Sequence, residues 1–203
     1  MNEIDKLTEY FKEFPGIGPR QAKRFVYFLL RKNASFGKEL SDLIPKIRNS
    51  IKICDICFRY FSKNIENNNT CKTCLDKNRD SSQLLVVSRD VDFEAITRSE
   101  SYNGYYFILG GTIPLSENDP QKFIRIKELK DLISKRKESG LTEIILALNV
   151  TTDGDNTASF VKKEISANFP DITLSILGRG LSTGTEIEYS DRETIKNALN
   201  NRS

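Results

Sequence analysis

All four cysteines of this 203-residue chain lie in one frame, Cys54-x2-Cys57 and Cys71-x2-Cys74, and the chain has no histidine. Two such knuckles each present two thiolates, and together they complete the tetrahedral four-sulfur shell that zinc prefers. Two disulfides, or two redox-active pairs, are the alternatives for the same residues. We expect no secretory leader, because Met1 runs straight into a charged segment, and this favours a metal over disulfides. Four protein sulfurs leave no open coordination position. The single zinc ion expected at Cys54, Cys57, Cys71 and Cys74 is therefore structural, not catalytic.

At this length the chain suits one main domain with smaller modules. No apolar run approaches the ~18 residues of a membrane span, and a cytoplasmic protein is expected. The net charge of +3 hides an uneven distribution. Residues 1–79 carry 16 Lys/Arg against 9 Asp/Glu, and the remainder 15 against 19. Contact with a polyanion is thus assigned to the basic N-terminal part.

Ile4, Leu7, Tyr10, Phe11 and Phe14 recur at helical spacing up to Pro15-Gly16-Ile17-Gly18-Pro19. Both glycines are read as free to take positive φ in a tight turn, with Ile17 plugging back into the helix pair. Pro19 suits the first position of a second helix. On that helix Lys23, Arg24, Tyr27 and Arg31 fall within about 60° of Arg20, and Ala22, Phe25, Val26 and Leu29 lie opposite. The segment FPGIGPRQAKR resembles a helix-hairpin-helix motif, which binds DNA without reading its sequence. Backbone N–H groups at the new helix start face a phosphate, flanked by Arg20 and Arg24. A solvated basic face on an ordinary helical hairpin is the alternative. A third helical stretch contains Leu40, Leu43, Ile44 and Ile47, and Pro45 is expected to kink it or end it early.

From Gln83 onward, short apolar runs alternate with helical stretches. Strands are read at Leu84–Val87, Tyr105–Leu109, Glu143–Leu148 and Ile172–Leu177. The intervening helices are placed at Val91–Arg98, Phe123–Lys137 and Thr157–Phe169. This order implies an α/β fold with a mostly parallel sheet between helices, and functional residues beyond the strand carboxyl ends. Beyond the third strand, Gly154 would let the backbone turn so that Asp153 and Asp155 share a Mg²⁺. An Asp-Gly turn opening a helix is the plainer alternative. The DGDNTA segment resembles the acidic motif of Toprim domains. Active Toprim enzymes also carry a glutamate at the end of the first strand, where this chain has Ser88. Asp90 and Asp92 lie nearby but one helical turn on. A serine cannot move protons at neutral pH as a carboxylate does.

Taken together, FPGIGPRQAKRFVYFLL, the cysteine pairs, LLVVSRDVDFEAI, YYFILGGTIPL, EIILALNVTTDGDNTASFV and the GTEIEY tail resemble the bacterial RecR family of recombination mediators over essentially the whole chain. The resemblance divides the chain into a helix-hairpin-helix region (1–50), a zinc motif (51–78), a Toprim-like domain (79–177) and an oligomerising tail (178–203). It implies a DNA clamp without enzymatic activity. With RecO and RecF, that clamp would help load RecA on single-stranded DNA coated by single-strand binding protein. DNA contact carries over to Arg20 and Arg24, with Lys23 on the same face, and the residual acids to Asp92, Asp153 and Asp155. The family also implies a homo-oligomer, such as a tetrameric ring. Leu7, Phe11 and Phe14 and the tail from Leu181 to Tyr189 are candidate contacts, with intrachain core as the alternative. Three departures stand out: an Asn-rich patch at 64–69 lengthens the gap between cysteine pairs, Ser88 replaces the acid, and Arg20 stands where lysine is frequent. The rival of another class is a Mg²⁺-dependent Toprim nuclease or primase-like enzyme. A zinc-bearing RNA or ribosome-associated module is a third reading.

Overall fold

The structure is a computed structural model that describes residues 1–63, 69–117, 119–178, 181, 184, 186–190 and 192–200. It separates into two compact units, Met1–Lys52 and Ile53–Ser203.

The first unit is helical. Helix α1 (Glu3–Lys12) is capped by Asn2, whose side chain accepts the Asp5 N–H at 2.9 Å. The chain then turns through Gly16 at φ +77°, where the Ile17 N–H reaches the Phe14 carbonyl at 3.0 Å. Only Gly16 uses the left-handed region. Gly18 is extended at φ −81° and serves as N-cap, which corrects the expectation that both glycines take positive φ. Helix α2 (Pro19–Arg31) opens on Pro19 as expected. Its Ala22 and Val26 are buried, and Phe25 meets Phe11 of α1 edge-to-face at 5.7 Å. Helix α3 (Ala34–Ser50) is capped by Asn33, which accepts the Phe36 N–H. Pro45 lies within α3 and does not end it. Every residue of α3 is exposed, so the carbonyl left without its donor can turn to water.

A small ribbon pairs β1 (Ile51–Ile53) with β2 (Tyr60–Ser62), and the second unit continues with a single helical turn α4 (Lys72–Leu75). A regular alternation follows: β3 (Asp80–Val87), α5 (Asp90–Arg98), β4 (Gly104–Ile108), α6 (Ile126–Lys137), β5 (Glu143–Ala147), α7 (Thr152–Asn168) and β6 (Thr173–Ile176). The four strands form one parallel sheet in the order β4-β3-β5-β6. The parallel sheet is as the sequence implies, and its strands read as unbroken apolar runs because both faces are covered.

Alternate residues of β3 show this directly. Leu84 and Val86, with Phe107, Ile144 and Leu146, pack against Leu129 and Ile133 of α6 and Val161 and Ile165 of α7. Leu85 and Val87, with Tyr106 and Ile108, pack against Phe93 of α5. Two helices therefore cover one face and one helix the other.

Three boundaries differ from the sequence reading by more than one residue. Strand β3 begins at Asp80, and α6 begins at Ile126, after a 3-10 turn at Pro120–Lys122. The largest shift is in α7, which starts at Thr152 and so takes in the whole Asp153-Gly154-Asp155 segment. Thr151 caps it by accepting the Gly154 N–H at 3.1 Å. Gly154 is not a hinge. A Cβ there would lie 1.9 Å from the Asn149 carbonyl oxygen, so the glycine is required by close packing of helix start against strand end.

Beyond β6 lie a 3-10 turn at Ile187–Tyr189 and helix α8 (Arg192–Asn200). Parts of the expected tail contact (182, 183 and 185), and residues 64–68 of the Asn-rich patch, fall outside the described residues.

Candidate metal centre and phosphate-facing helix

The four cysteine sulfurs lie within 4.8 Å of one another. Cys57 Sγ and Cys71 Sγ are 3.6 Å apart, far beyond the ~2.05 Å of a disulfide. A tetrahedral shell with Zn–S bonds of about 2.3 Å has sulfur-to-sulfur edges of about 3.8 Å, and the cluster fits that size. The two knuckles are held locally: the Cys54 N–H bonds the Arg59 carbonyl, the Phe58 N–H returns to the Cys54 carbonyl, and the Cys71 N–H points at Cys54 Sγ. Cys54, Cys57 and Cys71 are buried, and Cys74, on α4, is half-buried. The thiols compete for protons. Hydrogen bonds with the other thiols, Cys57 first, hold Cys54 well below its usual value, whereas the bond with Cys54 pushes Cys57 up. One cation would replace this uneven sharing with four equivalent thiolates.

The module also closes the edge of the large sheet, a contact with no signature in the sequence. The Cys57 carbonyl accepts the Ile108 N–H of β4 at 2.9 Å. Phe58, held at φ +61°, stacks edge-on against Phe107 with ring centroids 5.5 Å apart. Arg59 lies over the Phe93 ring at 4.1 Å, and Asp90 at the start of α5 accepts the Tyr60 N–H at 2.7 Å. Tyr105 donates to the Asp76 carbonyl at 2.9 Å. These contacts explain why all five residues of β4, an edge strand, are buried.

On α2, the side chains of Arg20, Lys23 and Arg24 are exposed, opposite buried Ala22 and Val26. None of the three forms an ion pair among the described residues, and Arg24 donates only to Gln21, at 3.3 Å. The N-terminus of α2 has no side-chain cap at Gly18. Its first N–H groups and these cations are thus available to an anion.

The acids beyond the strands are organised differently from the expectation. Ser88 is fully buried just after β3, and its hydroxyl has no hydrogen-bond partner among the described residues. Asp92 accepts the Arg89 N–H at 3.0 Å and so caps α5. Asp153 accepts the Leu115 N–H at 3.3 Å. Asp155, two residues on, points about 200° around the helix from Asp153. A turn at Gly154 that aims both carboxylates at one ion is therefore corrected: a helical backbone separates them. Thr157 and Asn156 complete a strap, bonding Ile113 from α7 at 2.8 and 3.2 Å. Among the described residues, the four cysteines are the only group of three or more His, Cys, Asp or Glu placed to hold an ion.

A helical hairpin with an exposed cationic face, a four-thiol cluster and a four-stranded parallel sheet define the class, a modular α/β protein whose larger unit is built on a Toprim-type domain. Family models agree segment by segment, matching the RecR helix-hairpin-helix at residues 4–47, the Toprim domain at 82–177 and the RecR C-terminal segment at 180–203. Curated relatives include the recombination protein RecR of Dehalococcoides mccartyi, 35% identical over 199 residues, which span 98% of this chain and 93% of that protein. The RecR of Treponema denticola is 34% identical over 203 residues, covering 100% and 98%, and that of Mycobacterium leprae 31% over 201 residues, covering 98% and 96%. The chain belongs to the RecR family. No described helix is long and apolar enough to cross a membrane.

Because the ribbon and α4 have few buried residues beyond the cysteines and Phe61, metal ligation should contribute most of their local stability. Cys57→Ser is expected to abolish stoichiometric metal binding and to raise amide exchange from residue 53 to residue 76, while β3 and β5 stay protected. Full metal content in the variant, measured by mass spectrometry of the native protein, would contradict this.

Proposed function

We propose that the protein is a recombination mediator in DNA repair, a clamp without enzymatic activity that holds DNA through Arg20, Lys23 and Arg24. By family, it works with RecO and RecF to help load RecA on single-stranded DNA coated by single-strand binding protein. The observation that carries this reading is the unpaired cationic face of α2 beside an uncapped helix start. Such a face grips phosphates and reads no bases. Replacing Arg20 and Arg24 together with alanine is expected to weaken binding equally for all sequences and to lower the salt dependence by about one to two ions. An unchanged slope in salt titrations places the contact elsewhere.

The metal is zinc, because a shell of four thiolates selects a soft ion and leaves no position for substrate. The Toprim-type half is read as a binding domain. Where an active domain of this kind carries its proton-transferring acid this chain has Ser88, and Asp92 and Asp153 are engaged with backbone N–H groups. Asp92, Asp153 and Asp155 then offer an acidic surface to a protein partner such as RecO, in place of a Mg²⁺ site. No DNA cleavage is expected with Mg²⁺ or Mn²⁺; cleavage that disappears in Asp153→Asn would establish the nuclease reading instead.

Self-association is the last part of the proposal. The N-terminal unit buries only Ala22 and Val26 completely, whereas Phe14, Leu30, Leu43, Ile44 and Ile47 are each more than half exposed. Of the expected contacts, Phe11 is engaged within the unit, against Phe14 and Phe25. So much exposed apolar surface around so small a core supports a second copy of the chain as the covering partner. A ring would repeat the weak phosphate contacts of α2 and turn nonspecific affinity, typically about 10⁻⁴ to 10⁻⁶ M, into retention on DNA. Light scattering across a concentration series is expected to report a homo-oligomer, such as a tetramer. A chain that remains monomeric with and without DNA rules the clamp out.

A further inference from the structure

We infer that Cys74 is the ligand through which the metal centre exchanges with solvent, by way of a cavity between the cysteine module and α6. The inference rests on the zinc reading above. The cavity has a volume of about 470 Å³ and is lined by Cys74 with Asp55, Glu128, Asp131, Lys135 and Arg136. Cys74 is the one cysteine of the four on its wall.

Two independent features single out Cys74. The first is access: Cys54, Cys57 and Cys71 are 0–1% exposed, whereas Cys74 is half-buried. The second is anchorage. Cys54 and Cys57 belong to a knuckle tied to β2 and, through the Cys57 carbonyl, to the edge of the main sheet. The Cys71 N–H is bonded to Cys54 Sγ. Cys74 sits instead on α4, four residues long and followed by half-exposed Leu75, where Thr73 accepts from Arg59 and the Asp76 carbonyl from Tyr105. A single helical turn held by such side-chain bonds has little stability of its own, so its opening is the cheapest motion that detaches a ligand.

The lining suits a cation in transit. Three carboxylates face two cations, leaving the cavity net negative. The Arg136 guanidinium lies over the Tyr105 ring at 3.6 Å, so it is held against the wall. Glu128 and Asp131, three residues apart on α6, share one helix face and supply oxygen donors that bind a divalent ion weakly before sulfur binds it tightly.

The test uses the full-length protein with its metal content measured first. The protein is held in excess EDTA and pulsed with N-ethylmaleimide, and modified cysteines are mapped by mass spectrometry. Cys74 is expected to be modified several-fold faster than the other three. Simultaneous labelling of all four, or Cys57 first, overturns the assignment. Ser139→Trp at the cavity rim tests the route. Metal release to a zinc-sensitive dye should slow several-fold in this variant and stay unchanged in Ser134→Trp, an exposed position of α6 outside the cavity. Equal release rates in all three proteins overturn the cavity as the path. A preparation that holds no metal and takes up none removes the zinc reading, and this inference with it, which separates the two kinds of failure.

Discussion

The second unit depends on how an open sheet edge is closed. A parallel sheet normally leaves its outermost strand with a row of unsatisfied backbone groups. Here β4 passes one of its N–H groups to the Cys57 carbonyl and buries Phe107 under Phe58. That cover has little apolar mass of its own. It holds its shape because four sulfurs converge, and the same convergence keeps Phe58 in a left-handed backbone conformation that costs about 1–2 kcal/mol. Four-sulfur cluster, knuckle and sheet edge are thus one mechanical unit, with Asp90 and Arg59 bracing it against α5.

The parts legible in the sequence were those fixed by local chemistry. Cysteine spacing located the four-sulfur cluster to the residue. The division of α2 into a buried stripe and an exposed cationic stripe follows from 3.6-residue periodicity alone. Apolar runs separated by helical stretches announced a parallel sheet. The misreadings came where a residue's role depends on its folded surroundings. Gly154 looked like a turn residue, yet it serves a close approach to the Asn149 carbonyl in the loop that joins β5 to α7. Pro45 looked like a stop, yet a well-capped and fully solvated helix carries it. The docking of Phe58 on Phe107 spans 49 positions and has no signature in either segment.

The two units use their charge in contrasting ways. The cations of α2 stand apart from carboxylates, so their field reaches outward unspent. The acids at the head of the sheet are turned inward as caps, with Asp92 serving α5 and Asp153 the loop before α6. Carboxylates at helix N-termini are favourable regardless of any metal, which is a sufficient reason for their presence in a domain read as a binding module.

Ser88 carries a packing constraint of its own. It is fully enclosed, with its hydroxyl unmatched, at the place where a catalytic domain of this architecture would carry an acid. Restoring a carboxylate there would bury a charge without a partner, at a cost of several kcal/mol. Asp153 would also have to give up the Leu115 N–H, and the strap from Ile113 to Thr157 would have to loosen. No single replacement achieves all three. The end of β3 is thus closed to a carboxylate by the packing around it as well as by the identity of one residue.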